Sequence, residues 1–101
     1  MNVILSEAAE TDLVDLFSYI GTSLSNPIAA TNTATKILRV ISKLSDFPEL
    51  GAQLQSIDGR FSTHRYLLVG NYAIIYRAAD SEVQVVRILY ARSNYTRLLT
   101  D

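Results

Sequence analysis

At 101 residues, with 49% apolar and 19% charged residues and a net charge of −1, the chain has the composition of one globular domain, not of a disordered or membrane-spanning polypeptide. With no cysteine, disulfides and thiolate chemistry are excluded, and with His64 the only histidine a metal site or a catalytic triad is not expected, nor is any cofactor. The N-terminal MNVILSEAAE carries neither a basic region nor a long apolar run, so a cytoplasmic protein with no membrane span is the expectation.

The chain opens with an apolar run at 2–5 that suits a short strand, and Ser6 then offers a helix N-cap. Ala9, Leu13, Leu16, Phe17, Ile20 and Leu24 recur at helical spacing, which predicts an amphipathic helix over 7–23. Glu7, Glu10, Asp12 and Asp15 take its other faces, near the positive end of the helix dipole. Gly21 and the Ser/Asn run after it fray that helix. Asn26-Pro27 provides a new cap with proline in the first turn, and Ala30, Ala34, Ile37, Leu38, Ile41 and Leu44 form the stripe of a second helix. The two helices form a hairpin. Phe47-Pro48-Glu49-Leu50-Gly51 stops the second helix, and a loop of some ten residues is expected to lead onward.

The remainder reads as an antiparallel meander, with strands near 63–69, 72–78 and 83–90 separated by breaks at Gly70-Asn71 and Ala79-Asp80-Ser81-Glu82. YAIIYR, apolar on both faces, suits a central strand with the hairpin against one side. Tyr95, Leu98 and Leu99 suggest a short C-terminal helix or turn. The fold class is therefore α+β, in the order βααβββ, with a helical hairpin packed on a small antiparallel sheet, as a single domain over residues 1–101.

The net charge hides an uneven distribution. Residues 1–35 hold four acids and no Lys or Arg, giving −4; residues 59–100 hold Arg60, Arg65, Arg77, Arg87, Arg92 and Arg97 against Asp80 and Glu82, giving +4. Guanidinium is the fork-shaped donor for carboxylate and phosphate, so an arginine-rich sheet without lysine marks either a partner surface or pairing with the acidic helix. Arg77 and Arg87, inside strands, fit structural ion pairs, whereas Arg60, Arg65, Arg92 and Arg97 lie nearer loops and ends and are the candidates for target binding. Tyr72 and Tyr76 are spaced to share one strand face and to pack in the sheet, and His64 reads as a strand-edge surface residue.

Five segments in this order resemble the RelE/ParE superfamily of toxins from bacterial type II toxin-antitoxin modules: SEAAETDLVDLFSYI, PIAA, FPELG, RYLLVGNYAIIYR and VVRILYARSNY. The resemblance covers nearly the whole chain and implies two alternative activities. RelE-type toxins cut messenger RNA on the ribosome with arginines, lysines and a C-terminal tyrosine around the scissile phosphate; ParE-type toxins bind DNA gyrase. The RNase pattern fits this chain poorly, because two of its arginine positions fall on Ala73 and Ser93. Arg65, Arg92 and Tyr95 are what remain as catalytic candidates. An electrostatic stabiliser of that kind is worth about 2.7–4 kcal/mol, so losing two leaves a weak nuclease. The long hairpin, the acidic first helix and the overall acidity are closer to the ParE branch. The resemblance thus implies a growth-inhibiting toxin acting on a target such as gyrase, with the ribosome-dependent RNase and a degenerate antitoxin-binding protein as alternatives. The implied partner is a cognate antitoxin in a hetero-oligomer, seated in an arginine-rimmed groove between hairpin and sheet.

Overall fold

The computed structural model describes residues 1–55 and 61–92, the side chains of Phe61 and Ser62 excepted. The element order is β1 (Asn2–Leu5), α1 (Glu7–Ser18), a π-type turn (Tyr19–Ser23), α2 (Pro27–Lys43), β2 (Ala52–Gln55), β3 (Phe61–Val69), β4 (Tyr72–Ala79) and β5 (Glu82–Tyr90). The C-terminal helix or turn expected after Arg92, together with Arg60, Ser93, Tyr95 and Arg97, lies outside the described residues.

Both helices start as their sequences dictate. The Ser6 hydroxyl accepts from the Ala9 N–H at 3.0 Å, and the Asn26 side chain accepts from the Ala29 N–H at 3.1 Å with Pro27 following. Between them α1 does not simply fray. It widens, the Leu24 N–H reaching back five residues to the Tyr19 carbonyl at 3.0 Å, before Ser25 turns the chain at a φ of 51°.

The sheet has five strands in the order β1-β5-β4-β3-β2, with β4 in the middle as its apolar sequence predicts. Two points differ from the sequence reading. The segment at 52–55, expected to be loop, is a strand pairing antiparallel with β3; and β1 runs parallel to β5, so the sheet is mixed. The second follows from the connection, because the two-helix crossover returns the chain on the far side of the sheet and leaves β1 beside the last strand. Both meander turns are two-residue loops, Gly70-Asn71 and Asp80-Ser81, whose first residues take φ of 58°. That left-handed geometry costs glycine nothing and is the conformation aspartate tolerates best after asparagine and glycine.

A bulge on β5 sets which side chains go inward. Ile75 pairs with Arg87 but Tyr76 pairs with Val85, so Val86 is the extra residue. Consequently Val83, Val85 and Ile88 all reach the helix-side core, where they meet Ala9, Leu16 and Ile20 from the first helix, Ala30, Ile37 and Ile41 from α2, and Ile74 and Tyr76 from β4. The opposite face of β4 is apolar as well. Ala73 and Ile75 are sealed with Leu54, and Tyr66 packs against them.

Candidate partner-binding site

β1 pairs with β5 only as far as Leu5, opposite Val85. Beyond that point the hairpin completes the strand. The Ser6 N–H donates to the Val85 carbonyl at 2.9 Å and its hydroxyl donates to the Val86 carbonyl at 2.7 Å. Asp12, six residues further along in α1, accepts from the Ile88 N–H at 2.9 Å and from Arg87 in a two-pronged contact, Nε at 2.7 Å and Nη2 at 3.0 Å. This is the structural ion pair expected of Arg87, and the Asp12 hydrogen bond raises the arginine's pKa further. Asp12 thereby fixes α1 against β5, and the cleft between them opens onto solvent.

That cleft is a groove of about 640 Å³ along the first helix, its π-type turn and the ends of β4 and β5. Its exposed apolar surface comes from Tyr19, Leu24 and Tyr90, which are 55%, 56% and 46% exposed, with Tyr72 and Leu89 behind them. The Tyr72 and Tyr90 rings meet edge to face at 6.0 Å, and burial pushes the Tyr72 hydroxyl pKa up, with Tyr90 and Tyr19 adding to the effect. Among the described residues the charged groups lining it are Asp12, neutralised by its pairing with Arg87, and Asp15. Among the described residues, the groove expected to be rimmed by arginine is lined by aromatic and apolar side chains and two carboxylates, and Arg87 is engaged in holding the helix to β5.

The candidate arginines scatter. Arg65 is half-buried and donates from Nη1 to the Gly51 carbonyl at 2.8 Å, on the loop where α2 ends, while the Gly51 N–H donates to the Tyr76 hydroxyl at 2.7 Å. Arg77 is exposed on β4 and donates from Nε to Gln84 at 2.9 Å, and Gln84 in turn donates to Glu82 at 3.0 Å. Near them a smaller recess of about 360 Å³ is lined by Ile4, His64, Arg77 and Gln84. Arg92 is exposed in the turn after β5. The described members of the RNase set, Arg65 and Arg92, thus sit apart in role: one ties down a loop and the other faces solvent. Ala73, where the RNase pattern needs a guanidinium, is wholly buried beside Leu54 and Ile75. No three His, Asp or Glu side chains among the described residues converge to hold a metal, and no helix among them is long and apolar enough to cross a membrane.

The model of the ParE toxins of type II toxin-antitoxin systems matches residues 3–95. The chain belongs to the ParE toxin family. Among solved structures, the ParE-type fold recurs in a chain of the chromosomal ParDE toxin-antitoxin system from P. aeruginosa, at 18% identity and a TM-score of 0.74, covering 91% of this chain and 97% of that one. No curated protein sequence matches. Sequence reasoning did not single out the residues of this groove: Asp12, which anchors α1 to β5, and Tyr19, Leu24 and Tyr90, which form its exposed apolar surface.

Proposed function

We propose that this ParE-family toxin inhibits growth by binding DNA gyrase rather than by cutting RNA, and that a cognate antitoxin neutralises it. The observation that carries the reading is Ala73. Its side chain has no exposed surface and packs in an apolar cluster with Leu54 and Ile75, so the sheet face offers a hydrophobic wall where an RNase needs a cation to stabilise a charged phosphorane. Arg65, turned to the Gly51 carbonyl, supports the same reading. The antitoxin's place is the groove between α1 and β5, whose exposed tyrosines and leucine suit the apolar side of a segment that orders on binding. Such a segment makes its apolar contacts in the groove and keeps acidic residues away from Asp15.

Induction of the chain without antitoxin, with plasmid supercoiling and messenger RNA integrity read side by side, tests this. Loss of gyrase-dependent supercoiling with intact transcripts is the expected result. Cleavage of transcripts on translating ribosomes overturns the mechanism, and normal growth with unaffected gyrase marks a chain that only binds antitoxin.

A further inference from the structure

The outward face of the helical hairpin exposes large apolar side chains among its charges. Val14 is 63% exposed, Phe17 44%, Ile28 74% and Leu38 46%. These four belong to one surface. With Ala9, Leu16 and Ile20 turned to the core, helical spacing carries positions 14 and 17 toward α2 and solvent; with Ala30, Ile37 and Ile41 turned to the core, it carries 38 and 28 toward α1 and solvent. The seam is tight at its loop end, where a Cβ on Gly21 would stand 3.6 Å from that of Ala30.

The charges beside this stripe are sorted by helix. The exposed ionisable residues of α1 are Glu7, Glu10 and Asp15, all acidic; those of α2 are Lys36, Arg39 and Lys43, all basic. The start of α1 lies beside the end of α2, as the Met1 ammonium donating to the Ser45 carbonyl at 3.1 Å shows.

We propose that in the chain free of antitoxin this face pairs with the same face of a second copy. Two isologous arrangements bury the apolar stripe, and charge decides between them. A twofold axis across the helices sets α1 on α1′, acid against acid. An axis along the helices sets each α1 antiparallel on the other copy's α2, so that Glu7 and Glu10 meet Arg39 and Lys43 of the second copy. The positive end of each α1 dipole then meets the negative end of the facing α2. The product is an antiparallel four-helix layer with the two sheets on its outside. The 17 residues of α2 supply about 25 Å of contact length.

Sedimentation velocity on the full chain, purified and refolded without antitoxin, tests this at low and high salt, with circular dichroism to confirm folding. The expected result is a dimer that weakens as salt rises. Glu10→Lys or Phe17→Glu raises the dimer Kd by about tenfold or more. Combining Glu10→Lys with Arg39→Glu restores dimerisation, a rescue that a folding defect cannot produce. A chain that stays monomeric at tens of micromolar, or a dimer indifferent to Glu10→Lys and Phe17→Glu, overturns the proposal. So does charge swapping without rescue. Gyrase inhibition is not read in this experiment, so the result stands apart from the toxin's target.

Discussion

Gly51 shows how closely one residue can be held. Its N–H is taken by the Tyr76 hydroxyl, its carbonyl by Arg65, and a Cβ there would lie 2.6 Å from the Tyr66 carbonyl oxygen and under 3 Å from two atoms of Tyr76. Backbone cannot yield as a flexible side chain does. Gly51→Ala is therefore expected to destabilise by about 1–3 kcal/mol or more, read as a lowered urea midpoint. The partner hydroxyl gives a pH test. Burial raises the Tyr76 pKa above its ordinary 10.0, outweighing the lowering by the Gly51 N–H and Arg65. A raised tyrosine pKa means that the native state keeps its proton where the unfolded chain loses it. The associated stability is complete below pH 10 and declines as pH climbs through the native pKa. Tyr76→Phe should flatten that alkaline decline. At neutral pH it should cost about 1–3 kcal/mol, because the buried Gly51 N–H loses its acceptor. Urea midpoints measured across the alkaline range check both.

For the elements, the union of α1 with β5 depends on Asp12. Asp12→Ala strands the Arg87 guanidinium and the Ile88 N–H together. Arg87 is a third exposed, so the expected loss is about 2–4 kcal/mol, below that of a fully buried pair. Asp12→Asn, which keeps an acceptor for Ile88, should lose less by the same denaturant measurement. In the sheet, Ile75→Ala should cost about 2–5 kcal/mol, since Ile75 is buried on the middle strand; a loss under 1 kcal/mol would misplace this core. Most of this architecture is legible in the chain itself. Ser6 and Asn26-Pro27 mark both helix starts, Gly70-Asn71 and Asp80-Ser81 mark both turns, and YAIIYR marks the central strand. β2 is not legible, because AQLQ has only Leu54 to bury and takes its identity from pairing with β3. The parallel pairing of β1 escapes local reading too, since no residue between 2 and 5 encodes which strand it will meet. The bulge at Val86 could have been seen: Val83, Val85 and Ile88 step by two and then by three. That Arg87 is held in an ion pair is legible from its place inside a strand, but that Asp12 is its partner is shown only by the folded contact.

Across the whole molecule, the described arginines divide into those engaged within the fold and those that face solvent. Arg87 and Arg65 are engaged inside the structure, whereas Arg92 faces solvent beyond β5. Arg92→Ala should therefore leave stability within about 0.5 kcal/mol of the parent by urea denaturation and, on the gyrase-directed reading proposed above, weaken growth inhibition; unfolding would make it a structural residue instead. The sheet's two outermost strands, β1 and β2, are each only four residues long, half the length of β4 or less than half that of β5. Fibril growth needs a long free row of backbone donors and acceptors, and neither border provides one. Such short borders disfavour the edge-to-edge pairing from which cross-β aggregates grow.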